Sequence, residues 1–313
     1  MPLRIVFMGT PALAAHILER LAAADASKYR VVGVITRPDQ PRGRKLVMEP
    51  SEVGSAAASL GIPVLKPTKI RTKEFLAELK SFEPDLIVVA AYGRILPQSI
   101  LDAPRIMPMN VHASLLPRHR GASPIEGAIL AGAKLTGVTI MRVVEKMDAG
   151  PTILKRTIPI ASDDTQGTLK EKLAELGAVA LLDALEQLVN GTLVETPQDE
   201  SLATFTGIIE KKDAVVDWSR TAPEIERAIR AYDPWPVART KFNSEKLMIW
   251  RARVVDESAS DAPGTIVSIK PDVVVQCGRG QLALVEVQAP GRKRIPALDW
   301  ARGKRLEAGT RFQ

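Results

Sequence analysis

Cysteine, histidine and aromatic residues are the scarce types in this chain of 313 residues. The lone cysteine, Cys277, permits no internal disulfide and no thiolate zinc site, and it fits a reducing cytosol. Three histidines, His16, His112 and His119, leave few choices for imidazole chemistry. No uncharged run approaches the roughly 18 residues that would span a membrane. The apolar N-terminal stretch Leu3 to Ala24 is split by Gly9-Thr10-Pro11 and carries His16, Glu19 and Arg20, which is unlike a signal peptide. A cytoplasmic monomer with no membrane attachment is the expectation. The dinucleotide fingerprint Gly-x-Gly-x-x-Gly is also missing, because Gly9-Thr10-Pro11-Ala12-Leu13-Ala14 keeps only its first glycine. That argues against a nicotinamide enzyme. No Walker motif, paired-cysteine metal spacing or internal repeat occurs, so no metal is expected.

Positive charge is present in excess and is unevenly spread. The formal net charge is +7, with a pI near 9.5. Arg37, Arg42, Arg44 and Lys45 crowd one short Pro/Gly-rich stretch against Asp39 alone. Between Arg292 and Arg311 lie seven Lys or Arg, including Arg292, Lys293 and Arg294, against Asp299 and Glu307. These two patches carry more than the whole net charge, which is the footprint of a phosphate-bearing partner.

Hydrophobic content of 45% and a length of about two domains are ordinary for a globular protein. Short apolar runs at Leu3 to Met8, Val31 to Ile35 and Asp85 to Ala91 read as buried parallel strands. Helices are expected after Thr10-Pro11, with Thr10 as the cap, and around Thr72 to Phe82. Val138 to Val144 and Thr152 to Ile160 read as further strands. Thr165 to Val189 reads as a long helix that Asn190-Gly191 ends. This alternation predicts a Rossmann-like, doubly wound, mostly parallel α/β sheet over residues 1–191. The polar stretch 192–205 reads as a linker. After it, Thr221-Ala222-Pro223-Glu224 makes a capping box. Five short strand candidates, from Ala238 to Val287, predict a smaller C-terminal β-domain over 206–313. An OB-like barrel and a plain β-sandwich both fit that pattern.

One segment carries chemistry. Asn110-Val111-His112-Ala113-Ser114-Leu115-Leu116-Pro117 closes the apolar run Ile106 to Val111, and Asp148 follows 31 residues after Pro117 in Met147-Asp148-Ala149-Gly150. Residues two apart on a strand face the same side, so Asn110 and His112 point into one pocket. The carboxyl ends of strands, beside loops, are where open α/β sheets place ligands. An amide, an imidazole and a carboxylate form a set able to move an acyl group onto an amine. His16 sits on a helix flank, and His119 lies between two arginines, which makes it a poor base. Ser114 has no Gly-x-Ser-x-Gly elbow and reads as pocket lining.

The stretch resembles the signature of the 10-formyltetrahydrofolate-dependent formyltransferases, and the resemblance runs over nearly the whole chain. Its landmarks include Phe7-Met8-Gly9-Thr10-Pro11, Arg37-Pro38-Asp39-Gln40-Pro41, Gly43-Arg44, Ala91-Tyr92-Gly93 with Leu96-Pro97, Arg120-Gly121, and Asp233-Pro234-Trp235-Pro236. Pro50-Ser51-Glu52-Val53-Gly54 and Asp233 depart from the usual pattern. The resemblance implies formyl transfer from 10-formyltetrahydrofolate to the α-amine of methionyl initiator tRNA. It implies Asn110, His112 and Asp148 as the catalytic trio. It implies folate contacts at Ala91, Tyr92, Gly93 and Leu96 and at Ser114, Leu115, Leu116 and Pro117. It also implies tRNA contacts at Arg37, Arg42, Arg44 and Lys45, and at Arg292, Lys293 and Arg294. An amino sugar nucleotide as acceptor is the alternative, although such an enzyme has no evident need for both basic patches. A nucleic-acid-binding protein with a dead catalytic site is opposed by the intact trio.

Overall fold

The computed structural model describes residues 1–42, 46–256 and 261–312, with Arg42 described by its backbone only. The chain forms two compact units, one of Met1–Pro124, Leu135–Pro159 and Lys170–Gly207, the other of Ile125–Lys134, Ile160–Leu169 and Ile208–Gln313.

The first unit is built on a seven-stranded sheet. Its order is Thr152–Pro159, Leu135–Arg142, Met107–His112, Leu86–Ala90, Leu3–Gly9, Tyr29–Ile35 and Val64–Leu65. The last five run parallel, while Leu135–Arg142 is antiparallel to both its neighbours. The expected mostly parallel, Rossmann-like sheet is therefore present. Side-chain alternation sends Val6, Met8, Ile87 and Val89 into one apolar cluster with Phe75 and Leu79 of the helix Lys73–Ser81 and with Tyr92 and Leu96. Burial of each such side chain contributes about 1.5–3 kcal/mol. The helix Gln166–Val189 stops where expected: Gly191 takes φ +68°, and its amide and that of Thr192 donate to the carbonyls of Leu188 and Gln187.

One local expectation is corrected. Thr10 does not cap the helix Ala12–Ala22. Pro11 holds the cap position without a side-chain bond, and the Thr10 hydroxyl donates instead to the Tyr92 carbonyl at 3.3 Å. The tertiary partner has outcompeted the local one. In addition, the departure Pro50-Ser51-Glu52-Val53-Gly54 opens a helix, Glu52–Ser59, because the Ser51 hydroxyl accepts from the Gly54 amide at 2.9 Å.

In the second unit, Thr221 and Glu224 form the expected capping box of the helix Ala222–Ala231. An antiparallel sheet follows in the order Arg239–Phe242, Glu245–Asp256, Gln281–Gln288, Val273–Gln276 and Ile266–Ser268, with Ile295–Pro296 pairing to Gln281–Gln288. Register shifts along Glu245–Asp256 curl it into an OB-like half-barrel, which decides against the sandwich. Four aromatics pack in its core: Trp218 stacks on Phe312 at 5.6 Å, and Phe242 meets Trp300 edge-on at 5.5 Å. Cys277 is buried there, and burial pushes its thiol up to about 12, so it is a packing residue without reactivity.

Candidate active site

Asn110 and His112 lie at the carboxyl end of Met107–His112, where the sequence places them. Asn110 is in register with Val89 on one side and Met141 on the other, and His112 with Thr139. Asn110 therefore shares a sheet face with Val89, the face that carries Tyr92 and Leu96. Val111 points the opposite way, beneath Gly177 of the long helix.

The His112 ring is held at one nitrogen. Its Nε2 lies 3.0 Å from the His119 carbonyl, which can only accept, so Nε2 carries a hydrogen. Nδ1 faces Asp148, 3.8 Å from Oδ1, too long for a hydrogen bond but within ion-pair range. Asp148 is 16% exposed, and its Oδ2 accepts from the Gly121 amide at 2.8 Å. Its backbone has φ +50°, a costly conformation for a residue with a Cβ. His119 is held below the ordinary imidazole value, first by burial, then by Arg118 and His112.

The stretch after His112 folds into a tight turn over Thr139. The Thr139 hydroxyl donates to the Ser114 carbonyl at 2.7 Å and accepts from the Leu116 amide at 3.1 Å. Ser114 is fully buried, and its hydroxyl donates to the Arg118 carbonyl, so it closes the turn. Leu116 is buried, while Leu115 and Pro117 are half-buried. The other turn, after Leu86–Ala90, places Ala91 and Gly93 at the surface and buries Tyr92 to 1% exposure. The Tyr92 hydroxyl has no hydrogen-bond partner, an unmet polar group that a ligand with a donor or acceptor could satisfy. Burial raises its ionisation above the ordinary range, against the lowering pull of Arg94 and Arg37. Arg37 donates to the Gly93 carbonyl, tying the root of the basic loop to this turn. Beyond it, Gln40–Arg42 pairs with Val47–Glu49 as a hairpin. Arg44, Lys45 and the Arg42 side chain lie outside the described residues.

The sequence missed the residues behind Asp148. Arg120–Gly121 pairs in parallel with Phe205–Thr206. Gly121 sits at φ +107°, and a Cβ there would lie 2.3 Å from the Thr206 carbonyl oxygen, so only glycine fits. Arg120 is 0% exposed and donates to Gln198 Oε1 and to both Glu200 oxygens. The stretch read as a linker thus lines the back of the site. Arg120-Gly121 was visible as a landmark, whereas Gln198 and Glu200 sit in an unpatterned polar run. In the second unit, Arg292, Lys293 and Arg294 are exposed, but the Arg294 guanidinium lies 3.2 Å from the Trp250 ring centroid. Among the described residues no group of three or more His, Cys, Asp or Glu could hold a metal ion, and no helix is long and apolar enough to cross a membrane.

Comparison with known proteins decides the family. Residues 3–185 match the formyl transferase family profile, and 208–305 match that of the formyl transferase C-terminal domain. A methionyl-tRNA formyltransferase of Roseiflexus sp. (strain RS-1) is 46% identical over 313 residues, covering 100% of this chain and 96% of that relative. The chain belongs to the methionyl-tRNA formyltransferase family. A member from Bacillus subtilis (strain 168) is 43% identical over 98% of this chain and 96% of its own length. The family chemistry is formyl transfer, and this chain is a formyl-transfer enzyme. A solved N-formyltransferase from Helicobacter canadensis, in complex with folinic acid and dTDP-3-aminofucose, shares the fold at a TM-score of 0.66. It is 18% identical and covers 91% of this chain and 99% of that one.

Proposed function

We propose that Asn110, His112 and Asp148 formylate the α-amine of methionyl initiator tRNA. The folate co-substrate, 10-formyltetrahydrofolate, supplies the formyl carbon. The observation that carries this reading is the His112 ring: fixed through Nε2, it presents Nδ1 toward Asp148 without bonding it. The protonated ring and the Asn110 amide donate to the oxygen that gains charge as the amine attacks. One such donor is worth about 3–4 kcal/mol of barrier. Asp148 accepts the amine proton, directly or through water, and as the tetrahedral intermediate collapses the bond from the formyl carbon to the folate N10 breaks, so that tetrahydrofolate leaves with a proton on N10. The turns at Ala91, Tyr92, Gly93 and Leu96 and at Ser114, Leu115, Leu116 and Pro117 flank this strand end and suit a flat folate ring. The unmet Tyr92 hydroxyl supports that assignment.

For the acceptor, the loop from Arg37 through Arg42, Arg44 and Lys45 meets the acceptor end of the tRNA, and the cluster Arg292, Lys293 and Arg294 grips its backbone. A cytoplasmic monomer fits this role. The test is to supply 10-formyltetrahydrofolate with charged initiator tRNA, charged elongator tRNA or an amino sugar nucleotide. Formylation of the initiator is expected. Formylation of the sugar alone would refute the reading.

A second expectation concerns salt. Arg294 packs on Trp250 and is best left intact. Neutralising exposed Arg292 and Lys293 should reduce the slope of log affinity against log salt by about 0.7–0.9 per lost phosphate contact. Initiator and elongator tRNA should weaken alike, because backbone contacts carry no sequence information. An unchanged slope in a filter-binding salt series would show that the cluster faces away from the tRNA.

A further inference from the structure

We propose that Gln198 is a positioning residue for formyl transfer, one that holds the Asp148 turn in its working conformation and is itself oriented by the buried guanidinium of Arg120. The inference rests on Asp148 serving the reaction as proposed above. Arginine has only donors, so the Gln198 atom lying 2.8 Å from Arg120 Nη2 and 3.2 Å from Nε is the amide oxygen. The amide nitrogen must then face the other way. It lies 2.8 Å from the Asp148 carbonyl and 2.7 Å from the Gly150 carbonyl, so both of its hydrogens are used. An inverted amide would put oxygen against two carbonyls and nitrogen against a guanidinium. Arg120 therefore selects one orientation.

The turn has a reason to need this support. The left-handed conformation of Asp148, at φ +50°, is costly for a residue with a Cβ and persists where neighbours over-determine it. Two of those neighbours are the Gln198 hydrogen bonds, and the third is the Gly121 amide on Oδ2. Gly121 follows Arg120 directly, so one two-residue strand delivers both the guanidinium that aims Gln198 and the amide that aims the carboxylate. Without the Gln198 donors, the carbonyls on both sides of Ala149 lose these partners, and the turn keeps the 3.2 Å bond from the Ala149 amide to the Lys146 carbonyl. The carboxylate can then swing relative to His112 Nδ1. A displacement of about 1 Å at a reacting group can cost 10²-fold in rate.

The variants are Gln198→Leu and Gln198→Glu in the full-length chain, assayed for formylation of charged initiator tRNA. Gln198→Glu keeps the acceptor for Arg120 and an equal volume but loses the paired donors. It therefore remains informative if Gln198→Leu folds poorly. Both should lower kcat by about 10–100-fold and leave KM for folate and tRNA unchanged, because the Gln198 amide is engaged by the protein alone. In an Asp148→Asn background, adding Gln198→Leu should be nearly silent, since a residue acting through Asp148 has nothing left to position. Near-normal turnover in Gln198→Glu would overturn the inference, as would a loss that multiplies in full with that of Asp148→Asn. If Asp148→Asn itself turns over normally, the reading of Asp148 fails. If it is impaired while both Gln198 variants are not, only the positioning role fails.

Discussion

Replacing His112 with alanine should lower kcat about 10²-fold or more, while folate and tRNA binding survive. Imidazole is the one group at this strand end that can carry a donated proton near neutral pH. His119 cannot take over, because burial, Arg118 and His112 together hold it toward its neutral form. Asn110→Ala removes the second donor and should cost a comparable factor, since each donor acts on the same developing charge. For Asp148 the cleaner variant is asparagine, because its Oδ1 can still accept from the Gly121 amide while the charge beside His112 disappears. The three losses should not multiply in combination, because the groups act on one proton and one oxygen. Single-turnover formylation of prebound methionyl initiator tRNA measures the step directly. A His112→Ala enzyme with near-normal turnover would remove imidazole from the mechanism.

The parts of this site that were legible in the sequence are those with a local signal. Asn110 and His112 share a face because strand alternation requires it, and the apolar run that ends at Val111 marks the strand without any tertiary knowledge. Val273–Gln276 and the capping box at Thr221 were likewise written in local pattern. What failed was decided at long range. Thr10 has the chemistry of a cap, yet its hydroxyl found the Tyr92 carbonyl, 82 residues away. Gln198 and Glu200 reach Arg120 across 78 and 80 residues, from a stretch whose composition says only that it is polar. The hydrogen bond from the Ser114 hydroxyl to the Arg118 carbonyl, which closes the turn, was equally invisible in the sequence. The packing of the Arg294 guanidinium over Trp250 had no signal in the sequence either. Polar residues find partners through folding, and apolar periodicity does not reveal which.

Arg120→Met should lower stability by about 1–3 kcal/mol, the cost of leaving a hydrogen-bonding group in the fold without its partner. For a unit of this size that is about 2–12 °C in Tm. Glu200 is 53% exposed and also pairs with Lys146, so its carboxylate rehydrates when the guanidinium is gone. Methionine fills much of the volume but donates nothing, which leaves Gln198 Oε1 without its two donors. The pH dependence identifies which partner matters. The Arg120 hydrogen bonds, then that of Lys146, hold the Glu200 carboxyl down at about 2, against an ordinary 4.5. A carboxylate depressed in the folded state stabilises it fully above its unfolded value, and that contribution disappears as pH falls toward the folded value. The Tm gap between the native chain and Arg120→Met should therefore be widest near neutrality and narrow as pH falls from about 4.5 toward 2. Carboxylates elsewhere titrate in both proteins and cancel in the difference. Differential scanning calorimetry across that range reads the gap directly. A gap that stays constant would mean that Glu200 contributes nothing and that Gln198 alone accounts for the buried arginine.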